Sequence, residues 1–461
     1  MSIPNNHSKV EQLRALVRLL SSAAETVIQH WEASADTDVL PGPATHTVPP
    51  RDLFDARRTL VGACGMCVAL VQDPLERLSE VTTAYMPARA LHVAADVGLF
   101  DMLAQADAQE GMSVQEIGQR TGINAAKLRK YTSLAWFVSE RAARKLTLAG
   151  LVKPLHFANN FTTRVIVGNK EFQNWLISSG KVNYPASWKL PAVLLDPVKT
   201  HSLAPRESPL QEALGSNQTL FEYLGEKVEA HDGSLVHRPE LQIYQLAFAG
   251  LGQLHAPSLL SDYPWGTLDG STIVDVGGGI GSMSLELAKI LPTAKFIVQD
   301  MEHVLTQARI KWSEDFPKAM EEDRVQFMCH DFFTPQPIAG AEIYLMRYIL
   351  HDWADNECIT ILKMLRDAMT PASRILVADQ IIHPTVGSSG LQSAPWPLPA
   401  NYGSAHMFSH TLDMTMMCLL NAMERTPDEF SALARTAGLV ITKVWQCRGY
   451  MAVVEMQRDD I

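Results

Sequence analysis

The chain has 461 residues, room for two or three domains at roughly 150 residues each. Hydrophobic residues make up 47% and charged residues 19%, which excludes a disordered or fibrous chain. Lys and Arg number 39 against 50 Asp and Glu, a formal charge of −11, and no basic stripe tracks along the sequence as a nucleic-acid surface would require.

The opening residues are polar and lead into an amphipathic stretch, with no leader pattern and no apolar run of ~18 residues. A soluble, cytoplasmic protein outside the membrane is expected. Leu13, Val17, Leu20, Ala24 and Ile28 mark a helix over Ser8–His30, and the Asp-, Thr- and Pro-rich stretch 34–50 reads as a linker. Helical periodicity returns over Arg51–Val81 and again over Ala88–Leu103. Six cysteines do not make a disulfide framework. Cys64 and Cys67 form a CxxC inside the apolar run Leu60–Val71, without the second CxxC or His pair that zinc needs, so they are expected as helix-core residues and no metal is expected.

Ser113-Val-Gln-Glu116 carries a capping-box signature, Gly122 breaks the helix it opens, and Ala125–Phe137 supplies a third helix. Two β-like pieces follow near Lys145–Val152 and His156–Thr163. Helices followed by a small hairpin describe a winged helix. Lys127, Arg129 and Lys130 are too few for groove binding, and the apolar helices before them favour packing against a second copy of the chain, a homodimer, over DNA. Residues 169–257 form a helical middle section rich in aromatics. From Gly270 the strand-like runs Thr272–Val276, Lys295–Val298, Val325–Met328, Glu342–Met346 and Arg374–Ala378 alternate with helix-length segments. That alternation predicts an α/β domain with a mainly parallel sheet. The organisation is therefore 1–50 helix and linker, 51–168 winged-helix-like dimerisation domain, 169–257 helical middle section contributing to a substrate pocket, and 258–461 cofactor domain.

The segment Val274-Asp275-Val276-Gly277-Gly278-Gly279-Ile280-Gly281-Ser282 is a strand ending in a glycine loop that opens a helix. Neither register gives GxGxxG, since Ser282 or Ser284 stands at the third glycine place, and no Gly-Lys-Ser/Thr follows for a phosphate loop. Gly277, Gly279 and Gly281 instead make GxGxG behind the acid Asp275. Asp300 ends the next strand, where an acid can accept ribose hydroxyls, with Met301 beside it. Asp331 and Phe332 follow the third strand, placed to bond an adenine amine and cover its face. After the fourth comes Arg347-Tyr-Ile-Leu-His351-Asp352-Trp353.

From about Ala88 to Val454 the chain resembles the class I small-molecule O-methyltransferases of the caffeate, hydroxyindole and fungal polyketide type. Further echoes are Phe157-Ala-Asn-Asn160, Asp196-Pro197 with His201-Ser202, Thr219–Leu224, and Leu412-Asp-Met414 leading to Glu424-Arg425-Thr426; Pro397–Met414 is similar to an insertion of fungal members. The resemblance implies a Rossmann-like methyltransferase sheet preceded by a mostly helical winged-helix dimerisation domain. It implies S-adenosylmethionine as cofactor and S-adenosylhomocysteine as product. It also implies His351 as general base, Glu424 as the acid that orients it, and Arg347 as a cofactor contact. A second flanking Glu of the plant pattern is Gln380 here, which accepts a hydrogen bond but carries no charge; Asp379 or Asp352 stands close enough in sequence to compensate.

Methyl transfer is a displacement at a sulfonium carbon, so the protein has to position two reactants and remove one proton. A phenol has a pKa near 10 and free imidazole about 6.5, and a neutral His351 would take the proton as the oxygen attacks, contributing roughly 10²–10⁴-fold. The competing role for His351 is a cap on the helix Asp355–Met369. Trp175, Phe221, Met407, Met414 and Met417 suit a flat apolar ring and equally suit helix core. The substrate reading is an aromatic hydroxyl of a secondary metabolite. Two other readings stand beside it: a pericyclase or dehydratase that uses the cofactor's charge, against which the retained His351 argues, and a non-catalytic partner of an active enzyme.

Overall fold

The structure, a computed structural model, describes residues 6–34, 48–106, 111–128, 138–140, 156–230 and 232–460. The N-terminal periodicity forms α1 (Asn6–Ala33), whose Leu16, Leu19 and Leu20 cluster with Ala63, Met66 and Leu70 of α2 (Arg51–Val71). The Arg51–Val81 stretch is split in two. Pro74 opens a separate helix, Pro74–Thr83, and Asp73 caps it by accepting from the N–H groups of Leu75 and Glu76. Ala88–Leu103 is likewise two helices, Tyr85–Asp96 and Leu99–Ala104, because Gly98 between them takes a left-handed φ of 65°. Cys64 is exposed and Cys67 half-buried, so the CxxC does not sit in the core as the apolar run suggested.

Ser113 accepts from the Glu116 N–H at 3.2 Å and starts the helix Val114–Thr121. Glu116 turns to Arg120 at 2.7 Å rather than closing a capping box. Three short strands, Met112–Ser113, Val138–Glu140 and His156–Asn159, pair antiparallel with the last in the middle. The second half of the His156–Thr163 stretch is helical, Phe161–Arg164, capped by Asn160. Arg129, Lys130, the strand expected over Lys145–Val152 and most of the linker lie outside the described residues. In the middle section α3 (Lys170–Ser178) packs on α4 (Pro239–Asp262) closely enough that a Cβ on Gly250 would stand 2.9 Å from the Glu171 backbone. Helix α4 runs unbroken through residue 257 into the cofactor domain.

The large sheet contains β1 (Thr272–Val276), β2 (Lys295–Asp300), β3 (Val325–Cys329), β4 (Ile343–Arg347), β5 (Arg374–Gln380), β6 (Leu439–Gln446) and β7 (Met451–Arg458), in the order β3-β2-β1-β4-β5-β7-β6. Neighbours among β1 to β5 are parallel, and β7 is antiparallel to both β5 and β6. The last two strands lie beyond the five that the sequence alternation marked. Ile273, Leu345 and Leu376 join one buried cluster with Leu259 and Leu285, while Val274, Met346 and Val377 join another with Ile361 and Phe430, so alternate residues feed opposite faces. The register pairs Asp275 with Val298 and Leu345, and Arg347 with Ala378, which brings the ends of β1, β2, β4 and β5 level. Between β1 and β4 the strand order reverses, and the crevice there is the natural ligand position of such a sheet.

Candidate active site

The β1 strand hands the chain to a loop in which Gly277, Gly279 and Gly281 have φ of 66°, 61° and 71°. A Cβ at Gly277 would lie 2.6 Å from Ile349 and one at Gly281 2.6 Å from the Trp312 indole nitrogen, whereas one at Gly279 would point into open space. The loop is thus packed on two sides and concave on the third. The Gly278 N–H donates to the Gln299 carbonyl at 3.0 Å and the Gly279 N–H to Asp300 Oδ2 at 2.8 Å, which pins the loop to the end of β2. Asp300 Oδ1 accepts from the Met301 N–H at 2.7 Å; burial raises its pKa, opposed by these two donors. Asp275 sits beneath the loop, accepts from Ser284 Oγ at 2.6 Å, and is pushed up to about 6 by burial. Arg347, ending β4, donates to Ser282 Oγ at 2.9 Å at the start of α5 (Ser282–Ile290). Asp331 is exposed and accepts from the Phe333 N–H at 3.0 Å, and the Phe332 ring packs against Phe333 and Trp353. Among the described residues no group of three or more His, Cys, Asp or Glu is arranged to hold a metal ion.

His351 lies in the turn Leu350–Asp352 and caps nothing; Ala354 holds the N-cap of α6 (Asp355–Ala368). Its Nδ1 is 2.9 Å from Glu424 Oε1 and its Nε2 3.4 Å from Asp352 Oδ1. Burial by itself lowers the His351 pKa, but the carboxylates of Glu424 and Asp352, with Asp379 behind them, outweigh it and push the imidazole up to about 10. Burial pushes Asp352 and Asp379 up to about 6. The Glu424 N–H donates to Asp413 Oδ1 at 2.9 Å on α7 (Met407–Leu420). The side chain of Gln380, fully buried at the end of β5, finds no hydrogen-bond partner among the described residues, so it does not hold the imidazole. Asp379 Oδ1 accepts instead from the N–H of Tyr348, a non-glycine residue at φ 59°.

Several functional neighbours were not singled out from the sequence. Arg425 is almost fully buried and donates to the carbonyls of Leu350 at 2.7 Å and Trp353 at 2.8 Å and to Asp355 Oδ1 at 2.9 Å, tying the Glu424 loop to the His351 turn. Tyr348 stacks on His351 with centroids 5.4 Å apart and bonds His255 Nδ1 through its hydroxyl. From there a wall of rings continues: His255 to Tyr450 at 6.2 Å, Tyr450 to Phe408 at 4.8 Å, and Phe408 to Trp175 at 6.1 Å. Tyr348 and Arg425 adjoin recognised motifs and could have been flagged. His255 and Tyr450 carry no local signal, because α4 and the β6–β7 turn bring them in from afar. Of the residues considered for the substrate, Trp175 and Met417 are half-buried, whereas Phe221, Met407 and Met414 are exposed.

A seven-stranded sheet with one antiparallel strand, a left-handed glycine loop after β1 and an acid, Asp300, ending the neighbouring β2 define a class I methyltransferase. A family model for the O-methyltransferase domain matches residues 240–440. O-methyltransferase gedA of Aspergillus terreus is 36% identical, covering 99% of this chain and 98% of that protein. O-methyltransferase tpcA of Aspergillus fumigatus is 36% identical over 98% of this chain and 97% of its own length. The solved structure of LepI with S-adenosylmethionine shares the fold, with a TM-score of 0.68 at 20% identity over 95% of this chain and 98% of that one. The chain belongs to the O-methyltransferase family, and it is an S-adenosylmethionine-dependent enzyme of secondary metabolism acting on a small molecule.

Proposed function

We propose that the enzyme methylates a phenolic hydroxyl of a small aromatic secondary metabolite, with His351 as general base. The observation that carries this reading is the buried His351–Glu424 contact of 2.9 Å beside a wall of aromatic rings. Bound S-adenosylmethionine supplies a methyl group on a sulfonium leaving group. For holding it, Gly277, Gly279 and Gly281 offer the concavity, Asp300 suits the ribose hydroxyls, Asp331 the adenine amine, Phe332 and Met301 the adenine faces, and Arg347 the polar end near Ser282. Asp275 supports the loop from beneath. Glu424 would fix the imidazole tautomer and stabilise the imidazolium as the phenol proton moves to His351 Nε2. The carboxylates of Glu424 and Asp352 raise the proton affinity of the imidazole, so that once neutral it takes the phenol proton more readily than a free imidazole would. Retention of this base favours methyl transfer over the pericyclic or dehydration reading.

We also propose that the enzyme works as a homodimer. Val71, Leu75, Leu78, Val81, Tyr85 and Met86 form a run of exposed apolar residues over three successive helices, with Leu75 74% exposed, a pattern that a second copy of the chain would cover. Light scattering at micromolar concentration tests this, and a monomer would refute it. The catalytic reading is tested by incubating the enzyme with labelled S-adenosylmethionine and phenolic metabolites: one cofactor consumed per methylated product is expected, and product formed with the cofactor intact would overturn it.

A further inference from the structure

Arg51 and Arg58 stand two turns apart on one face of α2. Arg58, 7% exposed, donates to Gln392 Oε1 at 2.8 Å, pairs with Asp55 at 2.9 Å and lies 3.9 Å over the Tyr402 ring. A guanidinium is costly to bury, so these contacts fix where it sits. Further along the helix, a Cβ at Gly62 would collide with the Tyr402 carbonyl oxygen and one at Gly65 with the Ser404 side chain, whose Oγ donates to the Val61 carbonyl at 3.0 Å. The helix therefore rides directly on residues 402–404, and the chain then opens α7 with Phe408 at its second position. At its other end α2 holds the β6–β7 turn. Arg51 donates to the Gln446 carbonyl at 3.3 Å, and Arg448 donates to the Pro49 carbonyl at 2.7 Å and to Asp262 at 2.8 Å. Tyr450 stands two residues beyond Arg448. The Gln392 N–H reaches Gln446 Oε1 at 3.3 Å and closes a ring of contacts that runs from α2 through the segment before α7 and the end of β6 back to α2.

We propose that α2 is a splint that holds Phe408 against Tyr450, which makes Arg58 and Gly65 positioning residues for the aromatic substrate. The two rings enter on loops from distant parts of the chain and meet with centroids 4.8 Å apart. Each follows within a few residues of a tether on α2. From Tyr450 the contacts run through His255 and Tyr348 to the base, and from Phe408 to Trp175, so slack in either loop is felt along the wall. A gap of ~0.5–1 Å forfeits about a quarter to a half of a dispersion contact, and a flat ring is held mainly by such contacts. Helix pairs that only add apolar burial need no buried guanidinium. Nor do they need glycine, which is less stable than alanine inside a helix, yet α2 accepts it at both points where it meets residues 402–404. That a substrate uses the Phe408–Tyr450 pair rests on the phenol reading above; the splint itself does not.

The test perturbs α2 and reads the loop at its other end. Gly65→Ala drives a methyl into Ser404, and adding Ser404→Gly gives the space back; alanine itself favours the helix, so any loss comes from the contact. With 3-fluorotyrosine at position 450 and the enzyme saturated with S-adenosylhomocysteine, the fluorine resonance should shift or split in Gly65→Ala and return toward the wild-type position in the double variant. Arg58→Lys keeps a charge over Tyr402 but cannot span Gln392 and Asp55 together, and should also move the resonance; it decides the matter if Gly65→Ala does not fold. With 2-naphthol as the phenol, both single variants should raise its KM about 5- to 10-fold while the KM for S-adenosylmethionine and the acidic limb of kcat stay as in the wild type, a split that a general loss of folding does not produce. A resonance that stays put in both single variants overturns the splint. A moved resonance with an unchanged KM for 2-naphthol overturns the positioning role. A wild type that does not methylate 2-naphthol counts against the phenol reading alone, and the fluorine resonance then decides the splint.

Discussion

Replacing Glu424 by Gln keeps the size and a hydrogen-bonding group at 2.9 Å from His351 Nδ1 but removes the charge. At that separation and an effective dielectric near 20, Coulomb's law gives about 6 kcal/mol between carboxylate and imidazolium, or roughly 4 pKa units at most. Asp352 at 3.4 Å and buried Asp379 remain, so a drop of two units or more in the His351 pKa is the expected share. A base has to be neutral, so activity rises with pH as the imidazolium loses its proton. In the wild type the acidic limb of kcat should therefore lie above the ordinary imidazole value, and in Glu424→Gln it should move down toward 6.5. The plateau at high pH should fall ~10- to 100-fold, because the weaker base is also less firmly oriented. The assay is kcat measured from pH 5.5 to 10 by S-adenosylhomocysteine release with saturating cofactor and phenol. A limb that stays within half a unit of wild type, or moves upward, would refute the coupling of Glu424 to the base.

Three other outcomes follow from the same geometry. Gly279→Ala should cost only about 1–2 kcal/mol of stability for its left-handed φ, since its Cβ meets no atom, yet should weaken S-adenosylhomocysteine binding at least ~10-fold in calorimetry; unchanged affinity would mean that the concavity is not the cofactor cradle. Arg425→Met leaves the Leu350 and Trp353 carbonyls and Asp355 without their donor, and should cost about 3–5 kcal/mol in urea unfolding together with a fall in kcat; a neutral effect on both would show that the His351 turn does not need this tie. His383 and His406, buried rings 5.7 Å apart near Arg58, His410 and Tyr402, are both lowered to about 4 by burial, with the Arg58 charge and, for His406, the neighbouring His383 adding to it. Their contribution to stability is complete above pH 6.5 and lost as pH falls toward 4, so His383→Gln/His406→Gln should flatten the loss of urea resistance between pH 7.5 and 5, and an unaltered slope would exclude them as its source.

The cofactor half of the molecule could be read from the chain because its information is local. A strand, a glycine turn and a helix are contiguous in Val274–Ser282, and the acids that follow sit where successive parallel strands stop; the register then sets Asp275, Asp300 and Arg347 at one rim. The pairing of His351 with Glu424 crosses 73 residues and came from resemblance, not from periodicity. Gln380 shows where sequence adjacency misleads: it ends the right strand but its side chain has no partner among the described residues, while its neighbour Asp379 accepts from Tyr348. Strands β6 and β7 and the helix breaks near residues 72 and 98 depended on Pro74, on a left-handed Gly98 and on antiparallel pairing with β5. Only the tertiary structure assembled the aromatic wall and the His255–Tyr348 pair. A buried histidine on an apolar helix looks the same in sequence whether it is core or site; what its Nδ1 meets is a tyrosine 93 residues away, brought close by the fold.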